Sequence, residues 1–348
     1  MVLLTLNIES ASIIVIILVI IDCFFIIFIC KRKDPMYYFI INPNSRSGRG
    51  KIIWHLVKTH LDELQIPYKF YYTRYKFHAT KLATLLCQNI DAPINLVVLG
   101  GDGTINEVIN GITDFTKVSL GYIPSGSSND FARSLRISSN PLEALATVLD
   151  APKQTVVDIG EMEVLDINGN VLSQRKFAVS SGIGFDAAIC YEALNSKIKD
   201  VLNLLGLGKL TYAIIAIKQV ICYKSTSGEL IIDGTIKKNY SNILFLVSMI
   251  HKYEGGGAIL APQADYKDKK LSICFVHNLS RWKVLLLFPT AFFAKHTHFK
   301  GVEIFDCSTI ELIQKEARVT HADGEFGGNN RHIRVSCNKE TITVNTPI

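Results

Sequence analysis

Residues Ile94–Leu99, INLVVL, are almost entirely apolar and stop at Gly100-Gly101-Asp102-Gly103-Thr104, beyond which helical periodicity begins. A strand that is apolar on both faces has to be covered on both, as in a parallel sheet flanked by helices. The neighbouring sequence fits that frame. Tyr37–Ile41 reads as a short buried strand, 51–65 as a helix, Tyr68–Thr73 as a strand and 79–90 as a second helix. Thr104–Ile112 is again helical, Val118–Ile123 is a strand, and Asn129–Leu135 opens another helix. This alternation over 36–150 specifies a layered, parallel α/β domain. The pattern changes near Pro152. Strand-like stretches then dominate, at 154–164, 171–181, 228–233, 241–248, 270–276, 302–313, 317–322, 331–336 and 341–345. Helical stretches interrupt them near 184–198, 203–222 and 282–294, so a β-rich, sandwich-like second domain is expected over 153–337.

The turn after INLVVL carries chemistry. Glycines there let the backbone approach a phosphate and present its N–H groups, and the following helix N-terminus adds positive potential. Asp102 beside a polyphosphate would be repelled unless a cation lay between them, which implies Mg²⁺. Alone, such a turn is equally an ordinary strand-to-helix connection. A second loop, Pro124-Ser125-Gly126-Ser127-Ser128-Asn129-Asp130, follows the next strand and also opens a helix. The loop Asn42–Gly50, NPNSRSGRG, follows the first. In a parallel sheet all three loops lie on one edge, where ligands bind. Together they read as a nucleotide site, although the Walker A pattern GxxxxGK[ST] is absent.

Residues 11–30, ASIIVIILVIIDCFFIIFIC, are long and apolar enough to cross a bilayer as a helix. The single charge, Asp22, costs about 2.5–3.5 kcal/mol in mid-membrane, which the surrounding Ile, Leu, Val and Phe offset. Lys31, Arg32 and Lys33 follow the run instead of preceding it, which argues against a cleaved signal peptide and places the rest of the chain in the cytoplasm. The apolar stretch 203–222 contains Lys209, Lys218 and Gly-Leu-Gly, and reads as a buried or lipid-facing helix rather than a second span. Among 348 residues the eight cysteines are scattered without a CxxC pair, so they are expected to be buried thiols in a reducing compartment. The net charge of +6 is too diffuse to indicate nucleic acid.

In chain order, NPNSRSG, GGDGTINEVINGI and PSGSSNDFARSL resemble the diacylglycerol kinase catalytic-domain family, which includes bacterial lipid kinases, sphingosine kinases and ceramide kinases. The likeness continues through Val157-Asp158-Ile159-Gly160, Gly182-Ile183-Gly184-Phe185-Asp186, Pro262-Gln263-Ala264-Asp265 and Asp323-Gly324-Glu325. GGDGT alone is shared with NAD kinases and phosphofructokinases; SGSSNDFA and the late DGE separate this chain from them. The resemblance implies an ATP-binding α/β domain over 35–152, completed by a C-terminal strand at about 338–348, with the active site in the cleft between it and a lipid-substrate domain. Carried over by position, Asn42, Asn44, Thr73, Gly100, Gly101, Asp102, Gly103, Thr104, Ile105, Asn106 and Ser127 would contact ATP, with Asn129 and Asp130 in the same loop.

The same resemblance makes Asp323 the general base for a lipid hydroxyl, with Glu325, Asp102, Asp130 and Asp158 forming an acidic network around Mg²⁺. Asp265, Asp268 and the carbonyl of Lys270 match a structural metal site of bacterial members, which usually have Gly where Lys269 stands. His296 and His298 alternate but lack a third zinc ligand, so a strand edge is expected there. The implied activity is an ATP- and Mg²⁺-dependent lipid kinase, acting on diacylglycerol or, as alternatives, a sphingoid base or ceramide. A non-catalytic nucleotide- or lipid-binding membrane protein is the rival from another class, and a homodimer is one assembly open to the chain.

Overall fold

The computed structural model describes residues 35–348 apart from 90–91, 196–214, 216 and 221. The apolar stretch 11–30 and most of 203–222 lie outside the described residues. Among those described, no helix is long and apolar enough to cross a membrane.

The first half follows the alternation of its sequence. Strand β1 (Tyr37–Ile41) leads into helix α1 (Ser45–Glu63), then come β2 (Tyr68–Tyr72), α2 (His78–Asn89), β3 (Ile94–Gly100) and α3 (Asp102–Ile109). Strand β4 (Val118–Pro124), the short α4 (Asp130–Ser134) and α5 (Pro141–Asp150) complete it. Asn140 caps α5 by accepting the Leu142 N–H at 3.0 Å, and Pro141 occupies the first turn, where no N–H is needed. Strands β2, β1, β3 and β4 are parallel neighbours in that order. Leu96, Val97, Val98 and Leu99 are all inaccessible to solvent, as expected for a strand covered on both faces. Phe39, Val57, Leu61, Ile105, Val108 and Leu120 pack with them in one core. Each such side chain contributes about 1.5–3 kcal/mol on burial.

The second half is mostly antiparallel. It comprises β5 (Lys153–Leu165), β6 (Val171–Phe177), β7 (Ser180–Gly184), α6 (Phe185–Asn195), β8 (Thr226–Ile232), β9 (Ile236–Met249) and the two-residue strands β10 (Tyr253–Glu254) and β11 (Ala258–Ile259). Then follow β12 (Leu271–His277), α7 (Arg281–Ala291), β13 (Val302–Cys307), β14 (Thr309–Ala322) and β15 (Glu325–Thr346). The expected strands 302–313 and 317–322 are divided differently, breaking at Ser308 because Asp233 accepts the N–H groups of Ser308 and Thr309, both at 2.9 Å. The expected strands at 331–336 and 341–345 are parts of the single strand β15. Two further cores serve this half, one around Phe177, Leu246 and Phe275, the other around Phe185, Phe245 and Leu287.

Strand β15 joins the halves. Its first part pairs with β14, and its last part lies parallel to β4 through Thr343 and Val344 while pairing antiparallel with β5. Among the described residues, thirteen strands thus belong to one hydrogen-bonded sheet, and β10 and β11 form a separate hairpin. Two smaller expectations are corrected. His296 lies in a short 3-10 helix instead of a strand edge, buried and hydrogen-bonded through Nε2 to the Leu260 carbonyl at 3.0 Å. Cys274 and Cys307 are buried, as expected, but Cys222 is exposed and Cys87, Cys190 and Cys337 are only partly buried.

Candidate active site

Parallel pairing brings the ends of β1, β3 and β4 to one edge, and the loops leaving them are bonded together. Asn42 Nδ2 donates to Thr104 Oγ1 at 3.2 Å, Ser45 and Ser125 share a hydroxyl hydrogen bond of 2.6 Å, and the Ser125 N–H donates to the Gly100 carbonyl at 2.7 Å. Gly101 and Gly126 face each other so closely that a Cβ on Gly126 would lie 2.7 Å from the Gly101 Cα. Only glycine at both positions allows this approach, which keeps the two backbones beside each other at the helix N-termini.

Asp102 opens α3 and reaches across to α4. Its carboxylate accepts the N–H groups of Asp130 at 3.1 Å and Phe131 at 3.3 Å. Burial, and then the negative charge of Asp130, push its pKa up to about 7. Asp130 is also raised by burial, although the Gly256 N–H at 2.8 Å and Arg133 counteract this. Asp130 Oδ1 accepts no hydrogen bond and has only Arg133 Nε at 3.6 Å. Two buried carboxylates, both raised by burial and one with an orphaned oxygen, fit a divalent cation. Asp102 and Asp130 could hold such a cation between them.

The DGE turn between β14 and β15 arrives from the other half. Glu325 Oε1 sits over the first turn of α3, where a Cβ on Gly103 would approach it to 2.8 Å, and Oε2 pairs with Lys76 Nζ at 3.0 Å. Asp323 is held in a left-handed conformation with φ 50. Its Oδ1 accepts from the N–H groups of Val179 at 2.8 Å and Ser180 at 3.1 Å, and its Oδ2 from the Ala178 N–H and Asn106 Nδ2, both at 2.8 Å. These donors favour the carboxylate, but burial outweighs them and raises its pKa.

Two adjoining cavities share Glu325. The larger, about 540 Å³, is lined by Asn42, Asn44, Thr73, Arg74, Tyr75, Lys76, Glu107 and Phe326. The smaller, about 210 Å³, is lined by Gly101, Asp102, Gly103, Ser127, Asp130, Glu254 and Asp323. Ten of the sequence-predicted residues line these cavities, whereas Gly100, Thr104, the turn residues Asp265, Asp268 and Lys270, and four others do not. Ile105 is wholly buried in the core, and its N–H is already bonded to the Gly101 carbonyl at 3.1 Å, so it does not face a nucleotide. Asn106 is wholly buried too, and its side chain binds Asp323, the Lys176 carbonyl and Arg175. Asn129 closes its own loop by bonding both the N–H and the carbonyl of Gly126. Asp158 is bonded to Lys269 instead of joining Asp102, through its N–H at 2.7 Å and its ammonium at 3.1 Å. Lys269, at φ 60, thus supplies a cation beside the turn 265–270, where Asp265 and Asp268 accept the N–H groups of Lys267 and Lys270.

A cluster that the sequence reading assigned no role stands beside the smaller cavity. Asp186 of α6, Glu254 of the β10 hairpin and His321 of β14 converge, with His321 Nε2 at 2.9 Å from Asp186 and 3.3 Å from Glu254. Glu254 also accepts from Ser180 Oγ at 2.9 Å. Burial would lower His321, but the two carboxylates prevail and raise it to about 9. The Gly324 N–H, however, points at His321 Nδ1 from 3.1 Å, which requires that nitrogen to be bare. The geometry therefore assigns the neutral Nε2–H tautomer, shared by both carboxylates. The three side chains lie close enough to hold a metal ion, and with Nε2 protonated they share a proton instead. Its members lie far apart in the chain, and the GxGxD spacing around Asp186 was the one local signal.

Two family models match the chain in succession. The diacylglycerol kinase catalytic domain matches residues 36–162, and the YegS C-terminal NAD kinase beta sandwich-like domain matches 180–345. A Bacillus subtilis protein named "Putative lipid kinase YtlR" is 28% identical over 293 residues, covering 84% of this chain and 94% of that one. A diacylglycerol kinase of Mycobacterium tuberculosis is 28% identical over 246 residues, covering 70% of this chain and 74% of that one. A crystal structure of a "putative diacylglycerol kinase" from Bacillus anthracis superposes with a TM-score of 0.68 at 20% identity, covering 90% of this chain and 98% of that one, a likeness of fold. With both halves matched in order and the motif loops gathered around one pair of cavities, the chain belongs to the diacylglycerol kinase catalytic-domain family and is an enzyme of the lipid kinase type.

Proposed function

We propose that the chain transfers the γ-phosphoryl group of ATP, with Mg²⁺, to the hydroxyl of a membrane lipid, diacylglycerol being the favoured acceptor. The observation that carries this reading is the meeting of the GGDGT loop, the SGSSND loop and the DGE turn around the smaller cavity, next to a larger cavity of nucleotide size. Phosphoryl transfer depends mainly on positioning and charge compensation. Backbone N–H groups at the start of α3 would receive phosphate oxygens, and Asn42, Asn44 and Thr73 line the adjoining space for the rest of the nucleotide. Asp323 would take the acceptor proton. Its raised pKa suits a base, and its four donors hold it in place against the cavity wall. The apolar segment 11–30 would keep the enzyme on the membrane that holds its substrate, with the catalytic residues on the cytoplasmic side.

The test incubates purified protein with radiolabelled ATP and Mg²⁺ against mixed micelles of diacylglycerol, a sphingoid base or ceramide, with NAD as a soluble control. Labelled phosphatidic acid is the expected product, and a chelator should abolish it. Intact ATP binding with no labelled product from any acceptor would leave a nucleotide-binding protein and overturn the proposal.

A further inference from the structure

Helix α7 is apolar on two opposite sides. Val284, Leu287 and Ala291 are buried, the first two in the core that also contains Phe185 and Ile189 of α6. On the other side Leu286 is 61% exposed, Pro289 is exposed, and beyond the helix end Phe292 and Phe293 are 49% and 73% exposed. Positions 286, 289 and 293 follow one face of a helical repeat, and the outward face of a surface helix is ordinarily polar. Along this segment of the chain the carboxylates are missing. No Asp or Glu occurs from 269 to 302, whereas Lys283, Lys295 and Lys300 are exposed on and after the helix.

We propose that the outward face of α7, with Phe292 and Phe293, docks on an anionic lipid bilayer. Aromatic and aliphatic side chains flanked by lysines match an interface with an apolar interior and negative headgroups. A protein partner fits less well, because protein interfaces are depleted in lysine. Helix α6 packs in the same core as α7 and brings Cys190 to the wall of the smaller cavity, which links the docking helix to the site through one intervening element. The residues of the docking face lie outside segment 11–30 in the sequence, and the docking is independent of which lipid is phosphorylated.

The test places the full chain in nanodiscs of phosphatidylcholine, with or without phosphatidylglycerol, using lipids brominated along the acyl chain. Phe293→Trp should show bromine quenching beyond that of the parent protein, and more of it with phosphatidylglycerol present. Reversing Lys283, Lys295 and Lys300 to Glu should lower the ratio of docked to undocked protein by on the order of 100-fold, since each lysine near an anionic surface is worth about fivefold. In parallel, Phe292→Ser combined with Phe293→Ser should slow phosphorylation of a lipid in anionic vesicles while leaving a short-chain, water-dispersed acceptor unaffected. Absence of added quenching, or quenching indifferent to phosphatidylglycerol and to charge reversal, would overturn the proposal. So would self-association of the parent chain that the double serine variant abolishes, since the face would then join two copies. Loss of transfer to the dispersed acceptor in the parent protein would refute the kinase reading and leave the docking result standing.

Discussion

Asp323→Asn separates two duties of one carboxylate. Both of its oxygens accept two N–H groups, and an amide offers one oxygen and one NH₂ in their place. If the NH₂ replaces Oδ2 it faces Asn106 Nδ2 and the Ala178 N–H; if it replaces Oδ1 it faces the N–H groups of Val179 and Ser180. Turning the Asn106 amide offers no escape, because its oxygen accepts Arg175 Nε at 2.8 Å and Nη2 at 2.6 Å. Either way two buried donors lose their acceptor, at about 1–3 kcal/mol each, so the variant should lose about 2–6 kcal/mol. The backbone adds nothing to this, since Asn tolerates a left-handed φ as Asp does. For a chain of 348 residues the melting temperature should fall by about 3–8 °C. Thermal unfolding followed by circular dichroism measures that, alongside phosphoryl transfer and ATP binding below the transition. A melting temperature within about 2 °C of the parent would refute the hydrogen-bond reasoning and leave Asp323 a proton acceptor alone.

Other outcomes follow from the contacts. Gly126→Ala should weaken ATP binding at least about tenfold by pushing its loop off Gly101, where backbone meets backbone; unchanged affinity by titration calorimetry would refute the close approach. Lys269→Met leaves the buried Asp158 carboxylate without its ammonium and should cost about 1–2 kcal/mol in urea unfolding, the low end because the lysine side chain is half exposed; an equally stable variant would show the pair to be inert. Glu254 is raised from its ordinary 4.5 to about 7 by burial first, with Asp186 and Asp130 adding to it and His321 and Ser180 opposing. A carboxyl that binds its proton more tightly when folded favours the folded state in acid and loses that advantage as pH climbs from about 4.5 to about 7. Between about pH 5 and pH 8 the parent should lose up to about 3 kcal/mol more stability than Glu254→Gln, and parallel unfolding curves would contradict this.

The α/β half was legible because its signals are local. In a parallel layered sheet, each apolar strand such as INLVVL must end on the same edge as its neighbours, so three polar loops far apart in sequence could be placed together from periodicity alone. The sites of Asp102 and Asp130 followed from that. Inside the helix the signal fails: nothing in TINEV says that Ile105 and Asn106 turn away from the cavity, because the first core decides it for Ile105 and the contacts with Arg175 and Lys176 of β6 decide it for Asn106. The antiparallel half was harder for the same reason. Which residue of β14 meets α6 and the β10 hairpin depends on register, and register is set by pairings across more than a hundred residues. Asp186, Glu254 and His321 therefore gave no joint signal, and Lys269 read as a misplaced glycine instead of the partner of Asp158.

Strand β15 has a consequence for how the chain matures on the ribosome. The sheet of the first half is bounded at β4 by Thr343 and Val344, and Asn345 accepts the Ser119 hydroxyl at 2.9 Å. Everything needed for the nucleotide loops is synthesised by about residue 150, yet the flank of β4 stays bare until some two hundred further residues have emerged. During that interval the nascent domain presents an unpaired, apolar strand edge, the kind of surface that recruits chaperones or foreign strands. Vectorial synthesis thus runs against the topology of this protein, whose α/β domain gains its flanking strand only after the β-rich half has been made.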